Sequence, residues 1–197
     1  MKPLLMVLLA SSAMLFGCAK PSVNRATADS LSAKRPKFII ETPKGEIAIE
    51  LFEDTPIHTE NFSKLVDKKF YDGTSFWRLV PGLLIQGGDP DTREKPMPEL
   101  DSLGKKTLPA EIKHSHFRGT IGAARKDDDV NPKRESSSCQ FYINLNDNRF
   151  LDGSYTVFGR VMDSVSMDVV DRISKTPRDG QNVPTVRQWM RIRRADE

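Results

Sequence analysis

The chain has 197 residues, 38% hydrophobic and 29% charged, and its 30 Lys+Arg against 27 Asp+Glu leave a net charge of +3. That length allows one domain with a substantial core. So small a positive excess does not imply a nucleic-acid partner, and none is expected; the one basic cluster, "RIRR" at 191–194, reads as a terminal strand or tail with solvated charges.

The first twenty positions stand apart from the rest. "MK" followed by the apolar "PLLMVLLASSAMLFG" has the layout of a secretory signal, and the run holds two serines and stops at Gly17-Cys18, short for a membrane span. "LFGC" at 15–18 resembles the lipobox of bacterial lipoproteins. That resemblance implies cleavage before Cys18 and acylation of its thiol. At about 0.8 kcal/mol per buried CH₂, three acyl chains would hold the protein on a membrane almost permanently. Residues 1–17 are then a signal peptide, 18–36 an acylated cysteine with a polar, flexible tether, and 37–197 the folded domain. Ala19 is not the aspartate associated with inner-membrane retention, which points to a periplasm-facing protein anchored in the outer membrane. Cys139 has no thiol left to pair with and reads as a small buried residue in the alternating "SSSCQFYINL".

From Lys37 the texture changes. "KFIIET" and "GEIAIELF" are two strands about the turn Pro43-Lys44-Gly45. Asp54-Thr55-Pro56 supplies a local N-cap oxygen and an early proline for a helix whose apolar stripe is Phe62, Leu65, Val66 and Phe70. Short β segments follow: "TSFWRLV", "LLIQGG", "GTIGAAR", "QFYINL", "YTVFGRV" and "VRQWMRI". A second helical stripe (Val165, Val169, Val170, Ile173) lies between the last two. Eight strands and two helices make a mainly β domain, a closed barrel or sandwich capped by helices.

The chain lacks H-E-x-x-H, a Cys/His cluster, a G-x-S-x-G elbow and a phosphate-cradling loop, so the sequence offers no metal or cofactor site. His58 reads as an exposed or capping helix residue, His114 and His116 as a loop pair of little metal-binding promise, and "DDD" at 127–129 as solvated. What remains is one arginine, Arg78, with Gln86, Gln140 and a group of aromatic and aliphatic residues. Such a set can bind an extended peptide and place a cation against an amide. One reaction needs nothing more: rotation about an X–Pro bond, whose barrier of about 18–20 kcal/mol comes from delocalisation of the nitrogen lone pair. A donor aimed at that nitrogen, in a dry pocket, lowers it.

The motifs "ENFSKLVDKKFYDG", "FWRLVPGLLIQGGDP", "RGTIGAAR", "SSSCQFYINL" and "FLDGSYTVFGRV", in this order over about residues 37–193, resemble the cyclophilin-type peptidyl-prolyl isomerases. The resemblance implies a closed eight-stranded antiparallel β-barrel capped by two α-helices, a peptide groove on one outer face, and no metal or cofactor. By position, Arg78 is the catalytic arginine and Gln86 holds substrate backbone. Leu83, Leu84, Tyr142 and Leu151 form the proline pocket with Tyr155 on its wall. Ala124, Arg125 and Gln140 line the adjoining groove, and Phe150 stands where many members carry a tryptophan. Trp77 and Tyr155 replace histidines common in the family, so no groove side chain is expected to change charge between about pH 5 and 8. Leu83 and Tyr142 replace phenylalanines, and Arg125 an asparagine, adding charge. Two readings follow: a lipid-anchored monomer that accelerates folding of proline-containing exported polypeptides, or a cyclophilin-fold module that binds such segments, or chaperones them, with little turnover.

Overall fold

Alternation of apolar and polar residues builds most of the domain. In β1 (Lys37–Thr42) every second residue, Phe38, Ile40 and Thr42, is buried. The chain reverses through Pro43-Lys44 into β2 (Gly45–Leu51), with Thr42 opposite Gly45. The computed structural model describes residues 35–197; the expected signal sequence, Cys18 and the tether up to residue 34 lie outside the described residues.

Helix α1 spans Pro56–Asp67 and buries Phe62, Leu65 and Val66. Its start differs from the expected local cap. Thr55 makes no side-chain cap bond, and the free N–H groups of Ile57 and His58 donate instead to the Glu111 carboxylate at 3.1 and 3.0 Å. The same carboxylate accepts from His58 Nδ1 at 2.7 Å, so His58 is 2% exposed rather than on the surface. Then come β3 (Ser75–Val80), β4 (Leu84–Gly87), the single helical turn α2 (Pro98–Asp101) and β5 (Thr107–Leu108). They are followed by β6 (Thr120–Ala123), β7 (Ser136–Ser137), β8 (Phe141–Asn144), β9 (Val157–Val161) and α3 (Ser164–Ser174). The chain ends in β10 (Gln188–Trp189) and β11 (Arg191–Arg194). In α3, Asp163 caps by accepting from Ser166 N, and the buried stripe is Ser166, Val169, Val170 and Ile173; Val165, expected inside, is exposed.

Nine strands form one antiparallel sheet in the order β10-β3-β4-β8-β6-β9-β2-β1-β11, and β5 pairs β7 apart from it. This corrects the closed eight-stranded barrel with two helices: among the described residues there are three helices, and the ladder does not close. The expected last strand, 186–192, is divided at Met190. Met190 still pairs with the Gly73-Thr74 backbone beside β3, and Arg191 then joins β1. The two sheet edges are thus consecutive in sequence, and the chain itself bridges the gap that hydrogen bonds leave. Phe62 plugs the interior, its ring 5.1 to 5.8 Å from those of Phe38, Tyr71, Phe141 and Phe158. The basic cluster is neutralised: Arg191 and Arg193 pair with Glu41, and Arg194 with Asp67.

Candidate active site

Four neighbouring strands lay one row of residues across the outer face. Arg78 of β3 is opposite Gln86 of β4, Gln86 opposite Tyr142 of β8, and Tyr142 opposite Gly122 of β6. A β-bulge sets the start of this row. Phe76 pairs with Gly87 and Arg78 with Gln86, which leaves Trp77 as the extra residue. Phe76 and Leu79, three apart, are therefore both buried, and Arg78 faces out.

The row lines a cavity of about 380 Å³. Arg78, Gln86 and Trp77 form one side; Leu83, Leu84, Tyr142 and Leu151 form the apolar pit; Ala124, Arg125 and Tyr155 form the far wall. Asp127, read from sequence only as part of a solvated run, also reaches its rim. A second cavity of about 570 Å³ adjoins it through Gln86, Ala124 and Arg125 and contains Gln140. Of the residues expected at the site, only Phe150 stays outside both, 72% exposed on the turn Arg149–Leu151.

The polar side chains are ordered by hydrogen bonds. Arg78 Nη1 donates to Gln86 Oε1 at 3.2 Å, Gln86 Nε2 to Gln140 Oε1 at 3.0 Å, and Gln140 Nε2 to Asp89 Oδ2 at 2.8 Å. An ionised carboxylate only accepts. Asp89 therefore fixes which end of each amide faces which neighbour, and Gln86 must turn its oxygen to the guanidinium. Asp89 sits in the quoted "GGDP" but has no role in the sequence reading, since its partner is 51 residues away. Burial holds the Asp89 carboxyl above its ordinary value, against the Asp91 N–H that favours the anion. Among the described residues, no carboxylate lies within ion-pair distance of Arg78.

Arg125 does not add a free charge. Its guanidinium donates to Ser154 O, pairs with Asp128 at 2.6 Å and lies 4.6 Å from the Tyr155 ring centroid, so it braces the wall. The Trp77 indole N–H is buried with no acceptor among the described residues. His114 and His116 diverge: His114 pairs with Asp54, whereas His116 is fully buried between Asp152 and the Tyr142 hydroxyl. A titratable ring thus backs the pit from behind, outside the groove lining to which the expectation drawn from Trp77 and Tyr155 applied. Cys139 is buried, as read, and burial pushes its thiol up to about 11.

Fold and groove together define a small antiparallel-barrel protein whose site offers a cation, side-chain amides and an apolar pit. The family model described as cyclophilin type peptidyl-prolyl cis-trans isomerase/CLD matches residues 37–197. A peptidyl-prolyl cis-trans isomerase of Acinetobacter baylyi is 38% identical over 161 residues, covering 74% of this chain and 77% of that protein. Peptidyl-prolyl cis-trans isomerase A of Dickeya dadantii is 33% identical over 177 residues, covering 79% and 86%. A crystal structure of a Cryptosporidium parvum cyclophilin type isomerase superposes with a TM-score of 0.71 at 24% identity, over 83% of this chain and 99% of that one. This chain belongs to the cyclophilin-type peptidyl-prolyl cis-trans isomerase family, and its activity is rotation of X–Pro peptide bonds.

Proposed function

We propose that Arg78 drives this rotation by donating to the prolyl nitrogen while the ring of the substrate proline rests on Leu84, Leu151 and the Tyr142 ring. The observation that carries the reading is the row Arg78–Gln86–Tyr142 along one cavity, with Arg78 tied to a neutral amide instead of a carboxylate. A guanidinium so held keeps its charge and its direction. Uncatalysed rotation takes tens of seconds, and reaching milliseconds requires about 10⁴-fold, or about 5.5 kcal/mol. One charge-assisted hydrogen bond supplies about 1.5–3 kcal/mol; the dry pit and the orientation of the peptide by Gln86 supply the rest. A second crystal structure of the Cryptosporidium parvum protein was determined in the presence of the dipeptide Ala-Pro, a ligand of the size this pit would take.

The test is a protease-coupled assay on a short X–Pro peptide. Arg78→Ala should lower kcat/KM by about 10- to 150-fold, the equivalent of that hydrogen bond. Unchanged turnover would reject the mechanism. We further propose that Cys18 is acylated and that the domain works as a monomer on exported polypeptides at the periplasmic face of the outer membrane. The support is the "LFGC" motif and Ala19. Globomycin should cause uncleaved precursor to accumulate, and its absence would remove the anchor. Sedimentation of the detergent-solubilised chain tests the monomer.

A further inference from the structure

Tyr142 occupies a position that few sheets allow. Its ring lies flat across Gly122, where a Cβ would stand 2.3 to 2.6 Å from the ring and its hydroxyl. The glycine is there for space. A hydroxyl carried into a site that is 3% exposed needs a partner, and His116 Nε2 provides one at 2.9 Å. The two rings are nearly parallel at 12°, and Tyr155 stands edge-on to both. Behind His116, one oxygen of Asp152 accepts from His116 N at 2.8 Å and Nδ1 at 2.9 Å, and the other accepts from Arg149 Nε at 2.5 Å.

We propose that Asp152 and His116 are positioning residues for the peptide-bond rotation: they hold Tyr142 as the floor of the proline pocket and aim its O–H away from the substrate. The proposal rests on the groove being the site of X–Pro rotation. Because Asp152 only accepts, His116 carries its hydrogen on Nδ1, and Nε2 is left to accept from Tyr142. The groove then meets the face of the ring instead of the hydroxyl hydrogen. Leu151, adjoining Asp152 in sequence, lines the same pit, so one turn delivers both the wall and the carboxylate that orients the floor. Protonation would reverse the arrangement. Nε2 would become a donor, the Tyr142 hydrogen would turn toward the pocket, and a cation would sit beneath it. The charged and titratable groups facing His116 are Asp152 with Arg149 behind it, Tyr142, and Tyr155 with Arg125 over its ring.

A double-mutant cycle on the full chain in detergent tests this, with KM and kcat measured separately. His116→Leu should raise KM about fivefold, the worth of one hydrogen bond, with kcat changing less. In a Tyr142→Phe background the same substitution should change KM less than twofold. His116→Gln, which can accept from Tyr142 but cannot be protonated, should restore KM and abolish its rise on acidification. If the KM effects of His116→Leu and Tyr142→Phe simply multiply while Arg78→Ala still cripples turnover, the positioning proposal falls and the groove reading stands. If Arg78→Ala leaves turnover intact, both fall. Nitrogen-15 shifts of the unmutated chain give an independent reading: Nδ1–H on His116 is expected, and Nε2–H overturns the proposal even if every variant misfolds.

Discussion

Asp89→Asn isolates the direction of the amide relay from its existence. Asp89 Oδ1 also accepts from Asp91 N at 3.0 Å, and asparagine keeps that oxygen and its cap. What changes is the atom facing Gln140 Nε2. With the oxygen kept on Asp91 N, asparagine presents its NH2 to Gln140, and turning the oxygen to Gln140 would instead give up that cap. When it presents the donor, Gln140 and Gln86 flip in turn, and Gln86 Nε2 faces Arg78, donor against donor. A hydrogen bond to a charged acceptor is worth about 1.5–3 kcal/mol and a neutral one about 0.5–1.5, so the bias toward the working orientation falls by about 1–1.5 kcal/mol. At about 1.4 kcal/mol per factor of ten, kcat/KM should drop about fivefold to tenfold, with the thermal midpoint almost unmoved. Acid gives a second readout. Burial raises the Asp89 carboxyl above 3.8, so its protonation mimics the substitution, and an acid limb in kcat/KM should begin above that value. Asp89→Asn should lack this limb while keeping the rise in KM that His116 protonation causes. A variant within twofold of the parent enzyme, titrating the same way, would refute the relay.

Glu111→Ala strips the cap from α1 and leaves His58 Nδ1 buried without a partner, a combined loss of about 2–4 kcal/mol; a urea midpoint shifted by less than the equivalent of about 0.5 kcal/mol would contradict it. Burial holds both His58 and His116 below 6.5, against the pull of Glu111 and Asp152. The unfolded chain therefore takes up protons first as pH falls through 6.5, and stability should decline from there until the folded-state values are reached, while staying flat above about pH 7. Differential scanning calorimetry should show His116→Gln removing part of that slope; a midpoint rising between pH 6.5 and 5 would show the sign to be wrong. Cys139, with its thiol at about 11, should resist a disulfide reagent at pH 8 in the native chain and react at once in denaturant. Labelling within seconds under native conditions would show it accessible.

The strands and the two long helices were legible because alternation and helical spacing are local properties of the chain. "KFIIET", "GEIAIELF" and "QFYINL" each form the strand expected of them, to within a residue or two at the ends. The gathering of Arg78, Gln86 and the apolar pit could be read from motif order, by resemblance. The misplaced features all depend on partners far away in sequence. Val165 matches the helical period yet is exposed, because Ser166 takes the inward position and accepts from Ala48 N, 118 residues away. Glu111 caps a helix from 53 residues away, and His116 meets Asp152 36 residues on and Tyr142 26 residues on. Nothing near these side chains in sequence marks them as paired. Only the packing of helices and loops onto the sheet brings them together.

The irregularities of the sheet fall where the chemistry is. β1 and β2 pair over six residues without a break and carry no groove side chain. The row from Arg78 to Gly122 instead has a bulge at each end: Trp77 in β3, and the register shift between Ile121 and Gly122 opposite β9. Bulges raise local twist and re-aim side chains, so the two regular strands between them, β4 and β8, lie in a patch whose ends turn away. The arrangement costs stability. Trp77 keeps a buried indole N–H without an acceptor among the described residues, a penalty of about 1–3 kcal/mol, and Gly122 forgoes a side chain so that Tyr142 can lie flat. A sheet built for stability alone would satisfy the donor and fill the glycine. Both departures border the row that presents Arg78, so local rules give way where a fixed cation, a directed amide and a dry ring face must meet one proline.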